Sequence, residues 1–317
     1  MGDPSAGGSS TSPTRPSPAS RRSPRASPRS GSPGEIADGL GRSALKELAA
    51  RHGIRPTKKR GQHFLADPNL ARAIVADAGV ARHDRVLEVG AGLGSLTVAL
   101  AEAGCRVTAL EVDRRVAEVL REVVSGYPNV DVRVEDAMRA HWGSLLGAGP
   151  WAMVSNLPYN VSVPLLLELL QTVPAIDRYI VMVQQEVGER LVAEPGSQAY
   201  GAVSVRVAYR AKARILRRVP AEVFWPRPNV DSVLVRMDPT PPPVDVEPDA
   251  LFVVVDEGFA ERRKTMANAL RRLGVPADRA AALLRDAGLE PNTRAERLSL
   301  DAFARVTRAM LDEGWSA

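Results

Sequence analysis

Cysteine is nearly absent from this 317-residue chain. Cys105 stands alone, which excludes an intramolecular disulfide and points to a reducing, intracellular setting. No apolar run approaches the roughly 18–20 residues of a membrane span. The first residues carry no apolar stretch of signal-peptide type. The expectation is a cytoplasmic protein that does not engage a membrane. The four histidines show no metal-ligand spacing, so no metal is expected. There is no internal repeat. A composition of 44% hydrophobic and 25% charged residues excludes a collagenous, disulfide-scaffold or wholly disordered chain.

The formal net charge is +5, and its distribution matters more than its total. Residues 1–34 hold ten Ser, seven Pro, five Gly and five Arg against one acid, Asp3. They contain no Leu, Ile, Val, Phe, Tyr or Trp. Such a segment buries too little apolar surface to offset its ordering entropy. It reads as a disordered tail over 1–42, either a solvated extension or a nonspecific RNA-contacting arm. The rest of the chain is close to neutral, so a polyanion-binding fold needs locally clustered cations. Three clusters meet that need. Arg51, Arg55, Lys58, Lys59 and Arg60 form the first. Arg206, Arg210, Lys212, Arg214, Arg217 and Arg218 form the second. Arg262, Arg263, Lys264, Arg271 and Arg272 form the third. Each alone reads equally as a solvated face; the three together point to RNA.

Order is expected from Ser43, as a cap to a helix over 44–50. Asp67 followed by Pro68 marks an N-cap and first helical position for a helix reaching Ala78. Apolar runs at 85–89, 106–111, 130–134, 151–155 and 179–183 read as strands. Helical stretches at 96–103, 114–124 and 163–170 separate them. This alternation predicts an α/β, Rossmann-like domain over 43–238 with a parallel sheet and helices on both faces. A further strand is expected at 233–237. The proline run at 239–243 reads as a stiff linker, and 239–317 as a small C-terminal helical domain.

The first of these strands runs into Glu88-Val89-Gly90-Ala91-Gly92-Leu93-Gly94. Glycines at a strand-to-helix turn let the backbone approach a ligand closely. Glu111 ends the next strand, 21 residues after Gly90, the spacing of a ribose-diol acceptor. Gly-x-Gly-x-Gly is not the pyrophosphate fingerprint, which fits S-adenosylmethionine, a cofactor without phosphate. A glycine turn that only tightens packing is the competing reading. Asp136, at the end of the following strand, is placed to accept from an adenine amino group and reads equally as a helix cap.

The strand at 151–155 leads into Asn156-Leu157-Pro158-Tyr159. In an open parallel sheet ligands sit at the strands' carboxyl ends, so this segment faces the same crevice. It resembles the Asn-x-Pro-Tyr motif of N-methyltransferases that act on the adenine amino group. Adenine N6 is a poor nucleophile because its lone pair is delocalised into the ring. The Asn156 side-chain oxygen and the Leu157 carbonyl are suited to accept from N6–H and free that lone pair. Pro158 would fix the turn and Tyr159 would stack on the base. An unpaired or flipped adenine makes the amino group reachable.

Three further segments narrow the resemblance: Lys58 to Asn69 (KKRGQHFLADPN), Val223 to Ser232 (VFWPRPNVDS) and Phe259 to Leu270 (FAERRKTMANAL). With Asn-Leu-Pro-Tyr they are similar to the bacterial small-subunit (16S) rRNA adenine N6,N6-dimethyltransferase family, from about residue 45 to 312. The resemblance implies a class I S-adenosylmethionine-dependent methyltransferase domain followed by a helical domain. It implies dimethylation of two adjacent adenines near the 3′ end of 16S rRNA, in the 30S subunit or its precursor, by a monomer active in ribosome biogenesis. It places His63, Leu65, Gly90, Glu111, Asp136 and Asn156 around the cofactor, with His63 where the family usually has Asn. It places Phe224 against the target base opposite Tyr159; a core plug is the alternative for that ring. Lys58, Lys59, Arg60, Arg214, Arg217, Arg218, Arg262, Arg263 and Lys264 would contact RNA. Competing readings are a macrolide-resistance type 23S rRNA adenine methyltransferase, a DNA adenine methyltransferase, for which no sequence-reading domain is visible, and a chiefly non-catalytic ribosome-assembly factor.

Overall fold

The computed structural model describes residues 1, 2, 8, 39–56 and 62–316. The tail expectation for residues 3–7 and 9–38, and the expectations for Lys58, Lys59 and Arg60, lie outside the described residues.

The main sheet has seven strands. Five are parallel: β2 (Arg85–Val89), β3 (Arg106–Glu111), β4 (Val130–Val134), β5 (Trp151–Asn156) and β6 (Ile176–Gln184). The sheet continues antiparallel through β9 (Ser232–Pro239) to an edge strand, β7 (Ala211–Val219). The spatial order is β4-β3-β2-β5-β6-β9-β7. The α/β, Rossmann-like expectation holds, and the expected parallel strands are extended by two antiparallel ones. Helices α7 (Gln185–Leu191) and α8 (Ala202–Arg210) follow β6, and the chain then re-enters the sheet as antiparallel strands.

Alternation along the central strands divides the core into two layers. Val86, Ala109, Val154 and Ile180 pack on one face with α1 (Arg42–Arg51), α2 (Pro68–Ala78), α3 (Ser95–Glu102) and α4 (Arg114–Val123). Leu87, Leu110, Met153 and Val181 pack on the other with α5 (Trp142–Leu146), α6 (Ser162–Thr172) and α7. Burial on both faces explains why these strands read as continuous apolar runs.

Local signals set the helix ends. The Asp67 side chain accepts from the Asn69 and Leu70 amides, Pro68 is the first helical residue, and Gly79 closes α2 at φ +61°. Helix α1 departs from expectation. Gly41 is its N-cap and Ser43 lies inside the helix, so the Ser43 cap is corrected.

The C-terminal helices α9 (Pro248–Ala260), α10 (Met266–Arg272), α11 (Ala277–Asp286) and α12 (Leu300–Asp312) share a third apolar cluster with Tyr200, Val205 and Tyr209. The Tyr209 hydroxyl donates to the Val246 carbonyl (2.9 Å) and the Tyr200 hydroxyl to that of Leu298 (2.8 Å). These bonds join the helices to the chain that precedes β7.

Strand order reverses between β2 and β5. From β2 the chain builds outward to β3 and β4; β5 and β6 extend the other side. Such a switch point opens a crevice at the strands' carboxyl ends. Here β2 and β5 pair only at Val86–Ala152 and Leu87–Met153. Above that the Ser155 hydroxyl accepts from the Val89 amide at 2.9 Å, tying the rim of the crevice together.

Candidate active site

A cavity of about 960 Å3 occupies this crevice. Gly90 and Gly92 form its floor at φ +74° and +58°, left-handed values that suit glycine, and Gly94, at φ +96°, turns the chain into α3. Gly90 carries a second constraint. A Cβ there would lie 2.9 Å from Pro158 Cδ, so the glycine turn and the Asn-Leu-Pro-Tyr segment pack directly on each other.

Glu111 is 7% exposed at the end of β3. Its Oε2 accepts from the Gly92 amide and its Oε1 from the Asp113 amide, both at 3.0 Å. Burial pushes its carboxyl above the usual range, and those amide bonds pull it back. Each oxygen retains a further lone pair, so the group can still accept from a diol. Asp136 lines the same cavity. It caps a turn rather than a helix: its Oδ1 accepts from the Met138 amide at 3.0 Å, and α5 begins only at Trp142.

Asn156 ends β5 and its Nδ2 donates to the His63 carbonyl at 3.0 Å. Leu157 is anchored by its amide on the Met182 carbonyl (3.1 Å). The Tyr159 and Ser232 hydroxyls are hydrogen-bonded at 2.9 Å. Burial raises the Tyr159 pKa against that bond, so the phenol stays neutral at physiological pH. The His63 ring stacks on Tyr159 with centroids 5.3 Å apart and planes at 29°, and His63 Nδ1 lies 2.7 Å from the Pro226 carbonyl oxygen. His63, Leu65, Gly90, Glu111, Asp136, Asn156, Leu157, Pro158 and Tyr159 therefore all line one cavity.

Phe224 does not join them. It is 0% exposed and packs in the main core. The cause is a two-stranded ladder: β1 (Phe64–Leu65) pairs with β8 (Phe224–Trp225), setting Phe224 opposite Leu65. Phe224 therefore does not line the cavity, and in this structure the ring facing Tyr159 is that of His63.

Glu88, the acid that precedes the glycine turn in the sequence, was given no role in the site. It is 1% exposed, lines the cavity from β2, and its Oε2 has no hydrogen-bond partner among the described residues. Burial pushes its carboxyl up to about 8; the Thr97 hydroxyl opposes this and the Glu111 charge adds to it. The signal was an acid inside an otherwise apolar, buried strand. These features suit a cofactor with cationic groups and a ribose: an orphaned carboxyl, a diol acceptor and a glycine floor without phosphate-cradle spacing.

The cationic clusters are partly neutralised. Arg51 pairs with Glu122, Arg206 with Asp256, Arg217 with Asp77, Arg262 with Glu296 and Arg272 with Glu257. Arg262 also donates to the Gln198 and Tyr200 carbonyls at 3.2 Å. Lys212, Arg214 and Arg218 stand exposed on the edge strand β7, and Arg263 and Lys264 in the turn between α9 and α10. No helix of the described residues is long and apolar enough to cross a membrane.

The family model for ribosomal RNA adenine dimethylase matches residues 54–311. A relative from Streptomyces avermitilis, named ribosomal RNA small subunit methyltransferase A, is 45% identical over 276 residues, 84% of this chain and 92% of its own. One of the same name from Thermobifida fusca is 46% identical over 268 residues, covering 83% and 93%. Among solved structures, a dimethyladenosine transferase from Plasmodium falciparum shares the fold at TM-score 0.68 and 23% identity, over 80% of this chain and 99% of that one. The 23S rRNA methyltransferase ErmE gives TM-score 0.61 at 26% identity, over 78% and 98%.

Proposed function

The chain belongs to the ribosomal RNA adenine dimethylase family, and from that premise we propose that it dimethylates N6 of two adjacent adenines near the 3′ end of 16S rRNA, within the 30S subunit or its precursor. It is an S-adenosylmethionine-dependent rRNA adenine dimethyltransferase. The observation that carries the assignment of the site is the packing of Pro158 on Gly90, which sets the Asn-Leu-Pro-Tyr segment at the edge of the glycine floor in one cavity.

When bound, the cofactor supplies an electrophilic methyl group on a sulfonium. Glu111 would accept its ribose hydroxyls, Asp136 its adenine amino group and Glu88 its α-ammonium, with Gly90 letting the backbone come close. His63 and Leu65 would close the near wall. Asn156 does the work at the target. A carbonyl oxygen can only accept, so the bond to His63 fixes Nδ2 on that side. The Asn156 Oδ1, which accepts no hydrogen bond among the described residues, is left for N6–H. With the Leu157 carbonyl it provides two acceptors for the two N6 hydrogens. Accepting them draws the lone pair out of the ring and readies it for transfer. After one methylation a single N6–H remains, and one acceptor suffices for the second round. The methylated amine is acidic enough to lose its proton to water, so no strong base is required. The Tyr159 ring is the stacking platform, a contribution of about 1–3 kcal/mol per base.

Relatives named for the small subunit stand at 45–46% identity, whereas the 23S enzyme stands at 26%; this favours the small-subunit substrate. Incubating the enzyme with labelled cofactor and either 30S particles or protein-free 23S rRNA tests the choice. Labelled dimethyladenosine is expected in the 30S sample alone; label in 23S rRNA alone would reverse the assignment.

A further inference from the structure

His63 performs two tasks with separate atoms. Its main-chain carbonyl holds the Asn156 amide at 3.0 Å. Its main chain leads directly into β1, where Phe64 and Leu65 pair with Trp225 and Phe224. That carbonyl therefore stays in place whatever the side chain does. The imidazole lies on Tyr159, with ring centroids 5.3 Å apart, and meets the Pro226 carbonyl through Nδ1 at 2.7 Å. Because a carbonyl only accepts, Nδ1 carries the hydrogen there.

A base sandwiched between two rings needs two stacking contacts of about 3.5 Å each, about 7 Å in all. The spacing of His63 and Tyr159 does not admit one. An adenine that takes this face of Tyr159 must take the place of the imidazole, a flat aromatic ring with the same stacking preference. We infer that the His63 side chain is a placeholder for the target base: it covers the stacking face of Tyr159 in the substrate-free enzyme and is exchanged for adenine when the base enters. The inference rests on the reading of Tyr159 as the base platform.

The exchange breaks one hydrogen bond, Nδ1 to Pro226, and one ring contact, while the Asn156 to His63 carbonyl bond persists. The acceptor geometry for N6 is thus ready before the base arrives. The placeholder keeps the aromatic face covered between turnovers, at the expense of some base affinity.

The test is proton NMR of the whole chain with saturating S-adenosylhomocysteine, titrated with adenosine. The His63 ring signals are assigned by their loss in His63→Asn, and their stacked position by their shift in Tyr159→Leu. Adenosine is expected to move the His63 signals to the unstacked position as the Tyr159 signals respond. His63→Asn is expected to bind adenosine about 2- to 12-fold more tightly, the equivalent of one aromatic pair. If Tyr159 responds while the His63 signals stay at their stacked position, the placeholder is overturned and the platform stands. If neither ring responds, the platform is overturned and the placeholder with it.

Discussion

The Asn156 Nδ2 donates to the His63 main-chain carbonyl across 3.0 Å, joining the end of β5 to the residue that precedes β1. This bond gives a floppy amide a single orientation. It also links the two segments that flank the crevice on either side of the glycine floor. Preorganised acceptors of this kind cost no rearrangement during reaction, which is where they gain their catalytic effect.

Glu111→Ala is expected to weaken cofactor binding about 5- to 150-fold, as buried donors lose their acceptor. The Gly92 and Asp113 amides lose theirs as well, so the thermal midpoint should fall in parallel. Titration calorimetry with S-adenosylmethionine checks the first expectation; unchanged affinity would remove Glu111 from the cofactor site.

Glu88 predicts a pH effect on the cofactor-free enzyme. Its carboxyl titrates near 4.5 when unconstrained and about 8 in the fold. Between those values the unfolded chain has released a proton that the folded chain keeps. Raising the pH through this window therefore destabilises the fold, and above about 8 the loss is complete. Glu88→Gln should remove that part of the slope, as read from urea midpoints at pH 5 and pH 8. Equal slopes in both proteins would show that Glu88 is already ionised at pH 5.

Arg214 and Arg218 stand exposed on the edge strand β7, without carboxylate partners among the described residues. Replacing both with Ala should weaken 30S binding and lower the slope of log affinity against log salt by about 1 for each lost phosphate contact. Turnover at saturating 30S should be unchanged. An unaltered salt slope would assign this strand a purely solvated role.

The strands buried on both faces were legible because apolar runs bounded by glycine and charge leave few alternatives. The ends of β2, β3 and β4 fall where the pattern put them. The Asp67-Pro68 start of α2 was equally plain, since cap and first-turn chemistry are local. Other features depend on partners distant in sequence. A two-residue ladder such as β1–β8 has no periodicity to read, yet it decides that Phe224 faces the core. Strand β7 alternates cations with small and apolar residues, which suits a sheet edge but reads as a basic patch. In α7, Gly188 lies against β9, where a Cβ would clash with the Val233 side chain; nothing in its own short segment reports that packing. The gathering of Gly90, Glu111, Asp136 and Asn156 followed from the rule for strand carboxyl ends. The His63–Tyr159 stack did not, because no local pattern reports a contact across 96 positions of chain.

The central claim is that Asn156 acts on the transition state and not on RNA capture, and Asn156→Ala tests it most directly. Phosphate contacts by Arg and Lys supply most RNA affinity, whereas the Asn156 amide contributes where N6 gains tetrahedral character. The measurement pairs 30S binding by filtration with single-turnover methyl transfer at saturating cofactor. The account predicts binding within about twofold of wild type and methyl transfer slowed by about 10²-fold or more. Methyl transfer within a few-fold of wild type would contradict it and make Asn-Leu-Pro-Tyr a structural turn.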